Sequence, residues 1–302
     1  MQRHFLALGL LAVSLAQPTQ AVTVYGKGNV ALQHADESGE SELQLVSNAS
    51  RIGVMGSEEI SEGIEVIYQF EYGTEIDDGD SSGQTFTQRN IYLGLKTSAG
   101  TLMAGNFDTP TKKAQGKVDL FDNLEGDIKN IVTGDNRVKN IVQYVSPGSI
   151  GPFTAKVAYI TEETDSDAGV SASLAYKQDA LYLAAAIDQD VEDNKGATDL
   201  YRLVGAYTLG SVQLGALYES FDGETGDGDG YFGSVQWKLT DKWILKSQYG
   251  QSDIEKEGRE TLSVGGDYKL SKSTKAFVYA THNEDDNGRD DDYVGVGMEM
   301  KF

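Results

Sequence analysis

Gly63-Ile-Glu-Val-Ile-Tyr-Gln-Phe-Glu-Tyr72 is the stretch that decides the fold. In an extended chain successive side chains point to opposite faces, so Ile64, Val66, Tyr68, Phe70 and Tyr72 share one face. Glu65, Gln69 and Glu71 share the other. A strand of this kind is half apolar and half polar, and its length of about ten residues is what a tilted strand needs to cross a bilayer.

The pattern repeats outward in both directions. Comparable segments fall at 22–34, 49–57, 63–74, 86–97, 100–107, 138–146, 152–161, 169–177, 180–188, 199–208, 211–220, 230–239, 242–251, 260–270, 273–282 and 292–302. One set of connections is tight: Thr97 to Gly100, Gln178-Asp179, Leu209-Gly210, Thr240-Asp241 and Ser271-Lys272. The intervening set is longer and acidic: Asp36 to Glu42, Glu75 to Asp80, Glu162 to Asp167, Asp188 to Asp193, Asp222 to Asp229, Asp253 to Glu257 and Glu284 to Asp291. Short turns on one rim and long loops on the other predict an all-β, transmembrane, antiparallel up-and-down β-barrel of about 16 strands over residues 22–302. Closure follows from the solvent, since in hydrocarbon every strand edge has to be paired.

Composition fits that reading. The chain is 39% hydrophobic and carries 35 glycines, 16 tyrosines and only 4 prolines, and no unbroken apolar run is long enough for a spanning helix. Zero cysteines exclude disulfides and thiolate metal sites. A net charge of −22 argues against nucleic acid as a partner, because phosphate contacts need clustered Lys and Arg. At the N-terminus, Arg3 and His4 precede an apolar run from Phe5 to Ala16 and a Thr19-Gln-Ala21 end, which reads as a signal peptide over 1–21 and an exported protein.

Catalysis finds little to work with. Beyond residue 21 the histidines are His34 and His282, no Gly-x-Ser-x-Gly elbow occurs, and no cofactor is expected. Asp222-Gly-Glu-Thr-Gly-Asp-Gly-Asp-Gly230 invites a calcium-loop reading but has the wrong spacing for an EF-hand, so no metal site is expected there. Loose divalent bridging of acidic loops to lipopolysaccharide is the weaker alternative.

At the C-terminus Val294, Val296, Met298, Met300 and Phe302 form an apolar stripe. A last strand ending in phenylalanine resembles the assembly signal of outer-membrane barrels, read by the barrel-assembly machinery. Val22-Thr-Val-Tyr-Gly26, Ser50-Arg-Ile-Gly-Val-Met-Gly56, Arg89-Asn-Ile-Tyr-Leu-Gly-Leu-Lys96, Gly100-Thr-Leu-Met-Ala-Gly105, Asn136-Arg-Val-Lys-Asn-Ile-Val-Gln-Tyr144 and Tyr268-Lys-Leu-Ser-Lys-Ser-Thr274 follow in order and spacing. Together they resemble the general trimeric porins of the Gram-negative outer membrane.

That resemblance implies a homotrimer in outer-membrane lipid and lipopolysaccharide, passing ions and small hydrophilic solutes by passive diffusion. Gly26, Gly28 and Gly94 are read as outward positions that permit close packing between copies. It further implies that the longest connection, about 108–136, folds into the lumen as a constriction loop. Asp108, Asp119, Asp122, Glu125 and Asp127 would form its acidic side, and Arg51, Arg89, Arg137 and Lys139 the basic wall opposite. A mild cation preference is the expected result, although Thr111-Lys-Lys-Ala-Gln-Gly-Lys117 departs from the family's loop and works against it. The other functions to weigh are a substrate-selective porin, and an adhesin barrel that does not conduct.

Overall fold

Alternation that is apolar on one side only can be satisfied by a sheet whose outer face meets lipid and whose inner face meets water. The computed structural model describes residues 22–77, 86–162, 168–191, 198–223, 226–254 and 256–302. The proposed signal peptide, and parts of several acidic connections, lie outside the described residues. The strands are β1 (Thr23–Glu37), β2 (Glu40–Ser47), β3 (Arg51–Ser61), β4 (Ile64–Gly73), β5 (Thr87–Thr97), β6 (Gly100–Asp108), β7 (Arg137–Val145), β8 (Phe153–Ile160) and β9 (Gly169–Gln178). They continue as β10 (Leu181–Gln189), β11 (Thr198–Leu209), β12 (Val212–Gly223), β13 (Gly226–Lys238), β14 (Trp243–Ser252), β15 (Arg259–Lys269), β16 (Thr274–Glu284) and β17 (Asp290–Lys301).

Each strand pairs antiparallel with its sequence neighbour, except that β2 and β3 do not pair with each other, and β17 returns to β1 in a register from Lys27↔Lys301 to Glu37↔Asp291. The sheet is therefore a closed barrel. Strands β2 and β3 both pair with β1, so they are two halves of one crossing strand and the barrel has 16. The break falls at 48–50, where Ala49 has φ +51° and the Ser50 hydroxyl both accepts from Asn29 N and donates to Asn29 O. The expected connection Asp36 to Glu42 is shorter in the structure: 40–47 is strand, turned at Ser38 (φ +53°) and Gly39 (φ +89°) as left-handed two-residue hairpins require. The glycine-rich 222–230 stretch is likewise mostly strand: Asp222 pairs with Asp227 and Ser220 with Asp229, which removes the loop a calcium site would need.

Outward positions carry the apolar belt. Leu93, Leu95, Leu102, Leu183, Leu203, Val278, Val294 and Val296 are all exposed on the outer wall. In the deciding stretch Phe70 is exposed to the outside while Glu71 is buried within. Gly94 does not share that outer face: the space beside it is taken by the side chains of Ile67 and Met103, on the lumen side of β4 and β6. At the tight-turn rim the backbone of Phe302 pairs with Gly26 in both directions, at 3.0 and 3.1 Å, which seals the seam.

Candidate functional site

Residues 109–136 connect β6 to β7 and pack inside the barrel. The segment leaves the wall through a short helix, α1 (Pro110–Ala114), started by Thr109, whose hydroxyl accepts from Lys112 N at 3.1 Å, with Pro110 at the first turn where its missing N–H costs nothing. Thr111 then donates to Asp188 Oδ1 at 2.5 Å, and Tyr182 donates to Ala114 O at 2.8 Å. Apolar loop side chains complete the seat. Val118, Ile128, Ile131 and Val132 pack on Ala184, Ala186, Val204 and Leu217 of β10 to β12, while Phe121 and Leu124 pack on Phe277, Tyr279 and Tyr293.

A fully buried ion pair ties both ends of the loop to the same wall. Arg202 Nε donates to Glu219 Oε2 at 2.6 Å, and Arg202 Nη1 reaches Thr111 O at 3.3 Å. Glu219 Oε1 accepts from Thr133 N at 2.8 Å and Gly134 N at 3.4 Å. Both side chains have no solvent exposure. Breaking one partner of such a pair costs about 3 to 5 kcal/mol, since the other is left charged and buried.

Beyond the loop, a cavity of about 380 Å³ is lined by Arg51, Arg89 and Arg137 from the wall and by Lys112, Lys113, Lys129, Asp108, Asp122, Asp127 and Asp135. Wall arginines and loop carboxylates thus face one another, but the pairing differs from the simple opposition expected. Glu71, on the deciding strand, accepts from Arg89 Nε at 3.0 Å and from the Tyr25 hydroxyl at 3.0 Å, with Arg51 Nε 3.5 Å away. Asp108 sits on the basic side, not the acidic one: it meets Arg137 Nη2 at 2.9 Å and Lys113 Nζ at 2.5 Å. Lys112 bridges to Asp135 at 3.0 Å.

Asp122 is exposed to the cavity, whereas Asp119 and Asp127 serve the loop's own shape. Asp119 accepts from Phe121 N at 2.9 Å and Ile128 N at 3.1 Å; Asp127 accepts from Asn123 N at 2.7 Å and Lys129 N at 2.9 Å. Burial pushes the Asp127 carboxyl up to about 6, and Asp119 is raised for the same reason, with Asp127 beside it adding to the effect. Glu125 faces the other way, accepting from Gln33 Nε2 at 3.0 Å, so it is not on the cavity. Lys139 is also absent from the lining. A bulge at Asn140 (φ +56°) breaks the alternation of β7, leaving Lys139 and Asn140 exposed in succession.

Lys112, Lys113, Lys129 and Glu71 were not among the expected site residues. The basic stretch 111–117 signalled the first two, and Glu71 was already on the polar face of its strand. The net result is a lining with more cations than anions, inside a chain of net charge −22.

Comparison with known proteins matches this arrangement to one group. The family model described as Gram-negative porin matches residues 6–289. The major outer membrane protein P.IB of Neisseria meningitidis serogroup B is 24% identical, with 100% of each chain covered. Among solved structures, an anion-selective porin from Comamonas acidovorans superimposes with a TM-score of 0.83 at 21% identity, covering 94% of this chain and 100% of that one. The outer membrane protein OmpT of Vibrio cholerae in its trimer form gives 0.72 at 17% identity, covering 94% and 100%.

Proposed function

The chain belongs to the Gram-negative porin family and is an outer-membrane protein, and from that premise we propose that it forms a water-filled channel for passive diffusion of ions and small hydrophilic solutes, with a weak anion preference set at the loop-narrowed cavity. The observation that carries the sign is the lining. Arg51, Arg89, Arg137, Lys112, Lys113 and Lys129 outnumber Asp108, Asp122, Asp127 and Asp135, and rings of charged side chains select by charge. The mild cation preference suggested by composition gives way in this reading, because the surplus acid lies on the long-loop rim, away from the narrowing. The name of the Comamonas porin, anion-selective, points the same way.

Residues 1–21 are taken as an export segment, and three copies assemble, as in the trimer form of OmpT. The apolar outer belt faces lipid, lipopolysaccharide meets the acidic rim, and Phe302 serves assembly. The test is single-channel current in a planar bilayer under a salt gradient near 1 M, where screening length is about 3 Å and only charges close to the ion path count. Stepwise conductance closing in three levels with an anion-signed reversal potential supports the reading. A cation-signed potential overturns the selectivity, and a folded barrel that carries no current favours the adhesin pedestal.

A further inference from the structure

Charge in this barrel is sorted along its axis, not only across it. On the long-loop rim stand Glu37, Asp229, Asp253, Glu284, Asp290 and Asp292, among other acids. Toward the tight-turn rim the lumen turns basic. Lys177 pairs across the sheet with Tyr182, whose hydroxyl reaches the loop, so its side chain is on the lumen face. Lys156 pairs with Ser173, two residues from the Ser171 that touches Thr111 on the loop. Lys238 pairs with Ile244, on the same face of β14 as Lys246, whose Nζ donates to Leu120 O at 2.8 Å. Carboxylates stand at this level too: Asp267 is engaged by Lys275 at 2.9 Å and Lys246 at 3.4 Å, Glu299 by Lys301 at 3.1 Å and Glu65 by Lys96 at 3.2 Å, while Glu58, Glu59, Glu62, Asp179 and Asp241 sit at or beside the tight turns, and the lysines still outnumber the acids on the lumen face. Among the described residues, no carboxylate forms an ion pair with Lys156, Lys177 or Lys238.

We propose that this pore rectifies: an acidic outer mouth and a basic inner mouth, joined at the loop, pass more current when the outer side is positive. The inference rests on the channel reading above and adds a direction to it. With the outer side positive, cations enter through the acidic mouth and anions through the basic one, and both accumulate in the middle. The opposite polarity drives each back through the mouth that favours it, and the middle is depleted. Overlap of the two charged zones with the ion path needs a long screening length, about 10 Å at 0.1 M salt against about 3 Å at 1 M.

The experiment is current against voltage for one inserted channel in equal salt on both sides. Because the chain has no cysteine, a Lys177→Cys variant reacts at one position, and an anionic methanethiosulfonate added to either bath reports which side is the inner mouth. The expected result is a larger current with the outer side positive near 0.1 M salt and loss of the asymmetry near 1 M. Attaching the anion at position 177 in the already folded channel should reduce the asymmetry, as should Lys156→Gln with Lys238→Gln. A straight line near 0.1 M overturns the proposal and leaves the channel reading standing. So does an asymmetry that survives 1 M salt or ignores these lysines, which would mark voltage gating. No current at all removes the channel reading beneath both.

Discussion

Glu219→Gln keeps the size of the side chain and removes only its charge, so it isolates what the buried pair does for the loop. Arg202 would remain cationic with no solvent exposure, facing an amide in place of its carboxylate. The expected local penalty is about 3 to 5 kcal/mol, equal to at least about a hundredfold change in the population of the seated loop end. The barrel's interstrand ladder does not depend on this pair. The apolar clusters and the Thr111–Asp188 and Tyr182–Ala114 bonds still hold the start and middle of the loop. Relief therefore comes at 131–134, where water enters to solvate Arg202 and the chain moves off its wall toward the open cavity. Single-channel recording should show added open-state noise and a lower mean current, with the folded, heat-resistant form on gels unchanged. The double substitution Arg202→Met with Glu219→Leu leaves no charge behind but removes the acceptor of Thr133 N and Gly134 N, so it should quiet the channel only in part. A Glu219→Gln channel as quiet and as conductive as the parent would refute the reasoning.

Other outcomes follow from the same geometry. Arg51→Gln with Arg89→Gln removes two cations and so cancels the surplus of the lining, so the reversal potential should fall from the anion side to near zero while assembly persists; Glu71→Gln should move it the other way. Asp127 is ionised above about pH 6 and neutral below, so acidifying from neutral to about pH 5 should strengthen anion preference, and the potential should titrate near that value. Linkage has the matching sign: a carboxyl raised in the folded state favours the seated loop at low pH and loses that contribution as pH rises through 6. Gly116→Val should disturb conduction without unfolding, since a Cβ there would stand 2.7 Å from the Tyr182 ring on a backbone with φ +63°. Phe302→Ala should lower the folded fraction recovered on refolding, read by heat-modified gel mobility.

The barrel was legible because one physical demand is written at every strand: lipid on one face, water on the other. What the sequence hid were places where that demand lapses. Glu40 and Glu42 read as part of an acidic connection, yet 40–47 pair with β1, with Leu43 and Leu45 exposed on the outer face and the glutamates on the other, a pattern too short to stand out beside the acidic residues around it. Lys139 shares the face of Arg137 only if β7 alternates without a break; the Asn140 bulge interrupts it, and a one-residue bulge leaves no mark in a hydrophobic pattern. In the loop, charge was visible but partnership was not: Asp108 was grouped with the other acids, although its neighbours in space are Lys113 and Arg137. Leu181 to Ile187, Leu203 to Ala206 and Leu214 to Leu217 are apolar on both faces, where a water-lined strand should alternate, and that is where the loop's Val118, Ile128 and Ile131 land.

The seam between Gly26 and Phe302 also governs how the molecule can come to exist. Hairpins can zip locally as neighbouring strands meet, but β1 and β17 are partners from opposite ends of the chain. Bringing such ends together costs roughly 5 kcal/mol of chain entropy on the (3/2)RT ln n scaling, with no return until the last register forms. Until then both edges present unpaired backbone, an invitation to aggregate with other chains. Closure is therefore late and all-or-none, and it cannot begin before β17 has been delivered to β1.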